Sequence, residues 1–189
     1  MILIPLLVIG IIVFGLIVYF VSVYNGLIML SKNIDKAWAN IDVILKQRHD
    51  EIPKLVKVCE GYMKFEKNTL KQITEARTAA MQANTVEASS KAEGRLSGLL
   101  GSLFAVAENY PDLKANQNFM QLQKRVSYLE SQIADRREFY NESVNRYNIR
   151  IAQIPDVFVA RMLNYQSRQL FKATAEDKKD VDINFNFPK

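Results

Sequence analysis

Apolar residues recur along the first part of the chain at alternating steps of four and three. This row, which we call the first seam, comprises Ile34, Trp38, Ile41, Leu45, Arg48, Ile52, Leu55, Cys59 and Tyr62. Such spacing is typical of a long helix that buries one face against partner helices, as in a coiled coil. The seam has a single charged member, Arg48, at a position where an aliphatic residue is expected.

An uncharged apolar segment precedes this helix. No charged residue occurs before Lys32, and residues 2–23 match the ~20 residues that are needed to cross the hydrocarbon core of a bilayer. Three aromatic residues near the end of the segment are typical of a membrane interface, namely Tyr19, Phe20 and Tyr24. A cleaved signal peptide would have a basic start and a small-residue cleavage site, which this segment lacks. We therefore predict a transmembrane anchor over residues 1–24, with the lipid bilayer as a partner.

Further helices are predicted after Gly61, over residues 64–83, 87–110 and 116–154. The last of them has a second seam, which comprises Phe119, Leu122, Val126, Leu129, Ile133, Arg137, Tyr140, Val144, Tyr147, Ile151 and Ile154. Its single charged member is again an arginine, Arg137. Pro53 interrupts the first helix and predicts either a kink or a fresh helix capped by Asp50.

Short connections between these helices favour antiparallel neighbours. The predicted fold class is all-α, with an N-terminal transmembrane helix that leads into a long antiparallel, up-and-down four-helix bundle over residues 25–154. Three glycines that share one face of the third helix, Gly94, Gly98 and Gly101, predict close helix packing there.

Two segments follow the predicted bundle. Residues 155–172 form an amphipathic, membrane-proximal segment in which Phe158, Arg161 and Met162 are expected at the membrane interface. The alternative is that this segment caps the end of the bundle, and fluorophores at Phe158 or Met162 would distinguish the two by their response to vesicles. Residues 173–189 are predicted to be a flexible tail with a strand-like end, whose apolar residues would bind the sheet edge of a partner: Val181, Ile183, Phe185 and Phe187.

Composition narrows the function classes. The 25 basic and 20 acidic residues are intermixed, so the net charge of +5 indicates a solvated helical surface and no nucleic-acid partner. The chain has one histidine, His49, and one cysteine, Cys59, and it lacks zinc, phosphate-loop and dinucleotide motifs. We expect Cys59 to be a core residue, and we expect no catalytic residues, no metal and no cofactor.

The two seam arginines are the main anomaly. A charge that enters a helical bundle needs a partner, so we predict a buried polar layer of Arg48 and Arg137 with carboxylates. The candidate carboxylates are Asp42, Asp50 and Glu130, followed by Glu75 and Glu108. The alternatives are a binding site for an anionic ligand, or arginines that reach to the surface.

Several segments of the chain resemble the LemA family. They include Arg48-His49-Asp50, Ile52-Pro53, Gly61-Tyr62, Glu75-Ala76-Arg77 and Tyr110-Pro111-Asp112-Leu113-Lys114-Ala115-Asn116. The chain departs from the family pattern at Arg136 and Phe139, where members often carry Ala and Arg. The resemblance implies a bacterial, single-pass membrane protein with a four-helix up-and-down bundle. It implies no agreed biochemical activity, although genes of the family often neighbour those of membrane proteases.

These observations predict a membrane-anchored helical-bundle scaffold or adaptor of the bacterial envelope without catalytic activity. We expect it to form homo-oligomers and to bind a membrane protein partner, such as a protease or another envelope protein. The alternative is a sensing module that binds an anionic ligand at the arginine layer. Lys32 and Lys36 directly after the span favour a body on the cytoplasmic side of the bacterial cell membrane.

Overall fold

The computed structural model describes residues 3–171, so the predicted strand-like tail at Val181, Ile183, Phe185 and Phe187 lies outside the described residues. The helices are α1 (Leu3–Glu60), α2 (Lys67–Met81), α3 (Val86–Ala107), α4 (Pro111–Lys114), α5 (Gln117–Ala152) and α6 (Asp156–Met162). Within residues 3–171 there is no strand, which confirms the all-α class. That the long helices form one up-and-down four-helix bundle stays a prediction.

The helix α1 continues without a break from the apolar segment into the first seam and passes through Pro53. A fresh helix capped by Asp50 is therefore wrong. In its most apolar window only 6% of the residues are buried, whereas the core helix of a soluble protein is mostly buried. This exposed apolar helix is long enough to cross a bilayer and fits a single-pass membrane protein.

Some helices begin or end at other residues than predicted, because local hydrogen bonds form turns at these places. Turns follow α1, with Met63 N donating to Cys59 O at 2.8 Å and Glu66 N donating to Met63 O at 3.1 Å, so α2 begins later than predicted. Pro111 does more than end the third helix, because it occupies the first turn of the separate helix α4. The predicted cap of the last long helix is present, since Phe119 N donates to Asn116 Oδ1 at 3.1 Å.

The described residues divide into two compact units. The second unit, residues 44–134 with 171, has a core of apolar side chains from five helices, which includes Ile52, Leu55, Cys59, Ile73, Leu96, Leu100, Leu103, Leu113, Phe119 and Val126. The first unit, residues 3–43 and 135–170, contains a small cluster of Val23, Leu27, Val159 and Ala160. In this first unit the ring of Trp38 also meets that of Tyr140 edge to face, with the ring centroids 5.6 Å apart.

The predicted amphipathic segment after Pro155 is helical only in its first part. The helix α6 ends at Met162, and the chain then turns through Asn164, whose φ of 55° is tolerated by asparagine. Val159 and Ala160 pack on α1, whereas Phe158 and Met162 are 67% and 66% exposed. Contact of Phe158, Arg161 and Met162 with a membrane stays a prediction.

The prediction that three glycines of α3 allow close helix packing is wrong for two of them. Gly94 is buried, but Gly98 and Gly101 are exposed. A Cβ added at Gly101 would meet no atom within 4 Å. Glycine at that position therefore does not serve a close helix approach.

Candidate functional site

Arg48 is the largest of the fully buried side chains in the second unit, with 0% of its surface exposed. Its Nη1 donates to Ser97 Oγ at 2.8 Å and also to Glu130, while its Nη2 forms an ion pair with Glu93. Helix α1 thus supplies the cation, α3 supplies Glu93 and Ser97, and α5 supplies Glu130. We call Arg48, His49, Glu93, Ser97 and Glu130 the Arg48 network.

His49 and Ser97 complete the connections within this network. The Nε2 atom of His49 lies 3.0 Å from Oε1 of Glu93, and the hydroxyl of Ser97 donates to Oε2 of Glu130 at 3.0 Å. Glu93 is as buried as Arg48, whereas the Glu130 side chain keeps 30% of its surface exposed. Two carboxylates therefore neutralise one buried guanidinium, and the second carboxylate, Glu130, is partly exposed to solvent.

The protonation state of Glu93 follows from these contacts. Burial raises the pKa of its carboxyl group, but the contact with His49 and the charges of Arg48 and His49 outweigh burial and lower that pKa overall. Glu93 is therefore a carboxylate at neutral pH. Each group of the network can then hold its neighbour in one rotamer, so the network ties the axial positions of three helices together.

The other residues predicted for a polar layer lie elsewhere. Asp50 is exposed and pairs with Lys46 at 3.0 Å, and this contact lowers the pKa of the Asp50 carboxyl group. Glu75 pairs with Lys71, and Glu108 pairs with Lys114, both on the surface.

Asp42 and Arg137 belong to the first unit, where Asp42 is exposed and Arg137 is half-buried. That Arg137 shares one layer with Arg48 stays a prediction.

Sequence reasoning missed Glu93, although a signal for it exists. The buried residues Glu93, Leu96, Leu100, Leu103 and Ala107 of α3 follow steps of three and four. This is the same seam pattern that singled out Arg48. The face marked by three glycines drew attention away from it, although two of those glycines, Gly98 and Gly101, are exposed.

A second polar contact supports α1 next to the network. Pro53 has no N–H, so the carbonyl of His49 lacks its usual helical donor. The Nε atom of Arg77, from α2, donates to that carbonyl at 2.6 Å. This hydrogen bond explains how α1 remains continuous through a proline.

The residues expected at a membrane interface lie in the first unit. Tyr19 donates through its hydroxyl to Oδ1 of Asp156 at 2.9 Å, and Asp156 forms an ion pair with Arg150. Phe20 packs against the small apolar cluster, and Tyr24 is 39% exposed. Asp156 is a buried carboxylate that the sequence analysis did not identify, since no seam contains it.

The contacts of the Arg48 network serve to hold helices in position. Outside this network, Cys59 is fully buried, and burial raises the pKa of its thiol to about 11, so Cys59 behaves as a core residue. Among residues 3–171, no group of three or more His, Cys, Asp or Glu side chains is arranged to hold a metal ion.

We predict that Glu93 makes the stability of the protein sensitive to acid. Its pKa in the folded state lies below the ordinary value of 4.5, so its stabilising contribution is fully present above pH 4.5 and is lost as the pH falls. In that window the unfolded state binds more protons, at a slope of up to ~1.4 kcal/mol per pH unit for one proton. Urea unfolding of the full-length protein in mild detergent should therefore show a flatter acid limb for Glu93→Gln than for the wild type.

The control for this measurement is Glu75→Gln, which removes an exposed carboxylate whose pair with Lys71 spans 3.7 Å. Its acid limb should match that of the wild type, because an exposed pair contributes only about 0 to 1 kcal/mol. An unchanged slope in Glu93→Gln would show that Arg48 and His49 do not depress this carboxyl group.

Comparisons with known proteins identify similar chains. The model of the LemA family matches residues 37–185. Protein LemA of Metamycoplasma hominis is 28% identical over 164 residues, which cover 86% of this chain and 75% of that protein.

Two magnetosome proteins are also similar to this chain. Magnetosome protein MamQ 2 of Paramagnetospirillum magneticum is 23% identical over 79% of this chain. Magnetosome protein MamQ of Magnetospirillum gryphiswaldense is 20% identical over 78% of it. Each of these alignments spans 64% of the relative, which is less than two thirds of its length.

Proposed function

Because the chain belongs to the LemA family, we propose that this membrane-associated helical protein is a non-catalytic scaffold or adaptor of the bacterial cell envelope. The observation that carries the proposal is the Arg48 network. Its cation is completely buried and meets two carboxylates, so its charge is used to position helices within the protein. A scaffold requires such a rigid body, since its partners must meet fixed surfaces.

The sensing function, in which an anionic ligand binds at the arginine layer, is less well supported. An incoming anion would have to displace Glu93 or Glu130 from Arg48, whose own side chain has no exposed surface. The ligand would also have to lose its hydration water in order to take the place of a buried carboxylate, and this desolvation costs free energy. We therefore favour the structural role of Arg48.

The adaptor is anchored by the exposed apolar part of α1 and faces the cytoplasm. Lys32 and Lys36 follow the span, and basic residues at that place favour the cytoplasmic side. Its partners are the lipid bilayer, further copies of this chain and a membrane protein of the envelope. The tail residues Val181, Ile183, Phe185 and Phe187 bind the sheet edge of that membrane protein by strand addition.

Partner recovery from native membranes in mild detergent tests this function. Replacing Ile183, Phe185 and Phe187 by serine should abolish recovery of the membrane protein partner, because the alternate apolar side chains of an added strand fill the pockets. The matched control replaces Asp182, Asn184 and Asn186 by serine and should retain the partner.

Two results would contradict the proposal. Equal recovery with both triple variants would exclude strand addition by the tail. A monomeric mass of the full-length protein in several detergents, measured by native mass spectrometry, would exclude self-association.

A further inference from the structure

The connection between α5 and α6 exposes an apolar side chain. Helix α5 ends at Ala152 and α6 begins at Asp156, and between them Ile154 is 80% exposed. Ile154 is the last member of the second seam, so a helix that continued past Ala152 would place it on the packing face. We call residues 153–155 the α5–α6 turn. Single exposed apolar residues are common on protein surfaces, so the location of Ile154 decides what it contacts.

The α5–α6 turn lies at the level of the expected membrane interface. The hydroxyl of Tyr19 donates to Oδ1 of Asp156 at 2.9 Å, and Asp156 follows Ile154 by two residues. Tyr19 belongs to the last part of the apolar segment of residues 2–23, whose length matches the ~20 residues that cross a hydrocarbon core. Side chains of a helix tilt toward its N-terminus, so the Tyr19 hydroxyl leans toward the bilayer. This hydrogen bond therefore holds Asp156 at the edge of the bilayer.

Apolar contacts place the rest of α6 farther from the bilayer. Val159 and Ala160 pack with Val23 and Leu27 of α1. These two α1 residues lie about one and two helical turns beyond Tyr19, on the side away from the span. From its first residue onward, α6 thus advances along α1 and away from the membrane. Among residues 153–162, the α5–α6 turn is therefore the part nearest to the bilayer.

The residues around Ile154 suit a boundary between lipid and water. The side chain of Asp156 is 8% exposed and forms an ion pair with Arg150, so no unpaired charge is brought to this level. Phe158 follows Ile154 by four residues and is 67% exposed. Arg161 is exposed, and an arginine can reach the phosphate layer while its apolar stem stays near lipid. Apolar side chains with neighbouring basic residues are typical of a surface that enters a membrane interface.

We propose that the α5–α6 turn is a second membrane attachment, in which Ile154 enters the acyl-chain region of the bilayer and Phe158 lies in the headgroup layer. The hydrogen bond between Tyr19 and Asp156 holds the turn at this depth. Because the span and the turn are both fixed in the membrane, the pair of α1 and α5 in the first unit cannot rotate freely about the axis of the span. The proposal rests on the membrane anchor of the proposed function and adds a second site to it.

Spin labels on single introduced cysteines measure this depth in the full-length protein, reconstituted into vesicles of phosphatidylglycerol and phosphatidylcholine. Oxygen concentrates among acyl chains and relaxes a label there, whereas a water-soluble nickel chelate relaxes a label in water. Ile154→Cys should show an oxygen-to-nickel ratio several-fold higher than Phe139→Cys, which labels an exposed apolar position of α5 in the same unit. Cys59 is fully buried and its thiol pKa is about 11, so the introduced cysteines react selectively.

Labels along α6 separate this proposal from a helix that lies in the plane of the interface. The ratio should fall from Ile154→Cys to Phe158→Cys and again to Met162→Cys, because α6 advances by ~9 Å between its first and last residues, at ~1.5 Å per residue. A helix in the membrane plane would give equal ratios at these three positions. Equal ratios would therefore overturn the proposal.

Phe14→Cys provides the reference for a label in lipid, since Phe14 is a 68% exposed residue of the span. If the ratio is high at position 14 but as low at position 154 as at position 139, the turn lies in water and the proposal is overturned while the anchor stands. An immobilised label at position 154 that neither oxygen nor nickel reaches indicates contact with protein, such as a second copy of this chain, and also overturns it. A low ratio at position 14 contradicts the anchor and the proposal together.

Tyr19→Phe tests whether the hydrogen bond to Asp156 sets the depth of the turn. Loss of the hydroxyl should lower the oxygen-to-nickel ratio of Ile154→Cys and make its label more mobile. The matched control is Tyr24→Phe, which removes the hydroxyl of another tyrosine expected at the interface and should leave both properties unchanged. Equal effects of the two variants, or no effect of either, would refute the role of Tyr19.

Discussion

Arg48→Met is expected to lower the free energy of unfolding by about 3 to 5 kcal/mol, because it leaves Glu93 as a buried carboxylate without its main counter-charge. Arg48 has no exposed surface, and the Glu93 side chain is only 1% exposed, so water cannot replace the lost contact. Urea unfolding of the full-length protein in mild detergent, followed by circular dichroism, measures the change.

The double variant Arg48→Met with Glu93→Leu should recover much of that loss, since exchanging a whole buried ion pair for apolar residues is often neutral. Arg125→Ala serves as the surface control. Arg125 is exposed and donates to Gln47 at 3.2 Å, so its removal should change stability by no more than about 1 kcal/mol. A stability of Arg48→Met equal to that of the wild type would refute the buried network.

Arg77→Ala is expected to lower the free energy of unfolding by about 1 to 3 kcal/mol, because the part-buried carbonyl of His49 is left without a donor. The cost should be smaller in the background of Pro53→Ala, where the new backbone N–H can reach that carbonyl. Urea unfolding of the wild type, both single variants and the double variant forms a complete thermodynamic cycle.

Pro53→Ala also changes the conformational entropy of the unfolded chain, but this effect is the same with and without Arg77 and therefore cancels in the cycle. The control is Arg95→Ala, which removes an exposed arginine from α3 and should be nearly neutral. If Arg77→Ala costs the same in the Pro53→Ala background as in the wild type, the hydrogen bond does not compensate for the proline.

Periodicity was sufficient to predict burial along α1. The members of the first seam from Ile34 to Cys59 are buried, apart from the half-buried Trp38, and Arg48 is buried with them. A helix presents every third and fourth residue on one face whatever surrounds it, so this pattern is a local property of the sequence. The amphipathic composition of residues 157–171 did not reveal where helix α6 ends, because the turn after Met162 passes through Asn164 and is a feature of the folded chain.

The resemblance to the LemA family is confirmed, and it predicted the helical class. Arg77 belongs to one of the segments that carry the resemblance, but the resemblance gives no reason for an arginine there. The reason for an arginine at position 77 lies in Pro53. The two residues are on different helices, and only the folded chain shows that one supplies the donor that the other removes.

The sequence by itself determined the all-α class, the apolar span and the place of Arg48 on the packing face of α1, since composition and spacing within one helix decide these properties. The tertiary structure alone decided which carboxylates neutralise Arg48. Glu93 and Glu130 lie 45 and 82 positions away from it in the chain. Their approach depends on the rotation and axial shift of α3 and α5 against α1, and these are fixed by the packing of whole helix faces and not by the spacing within any one of them.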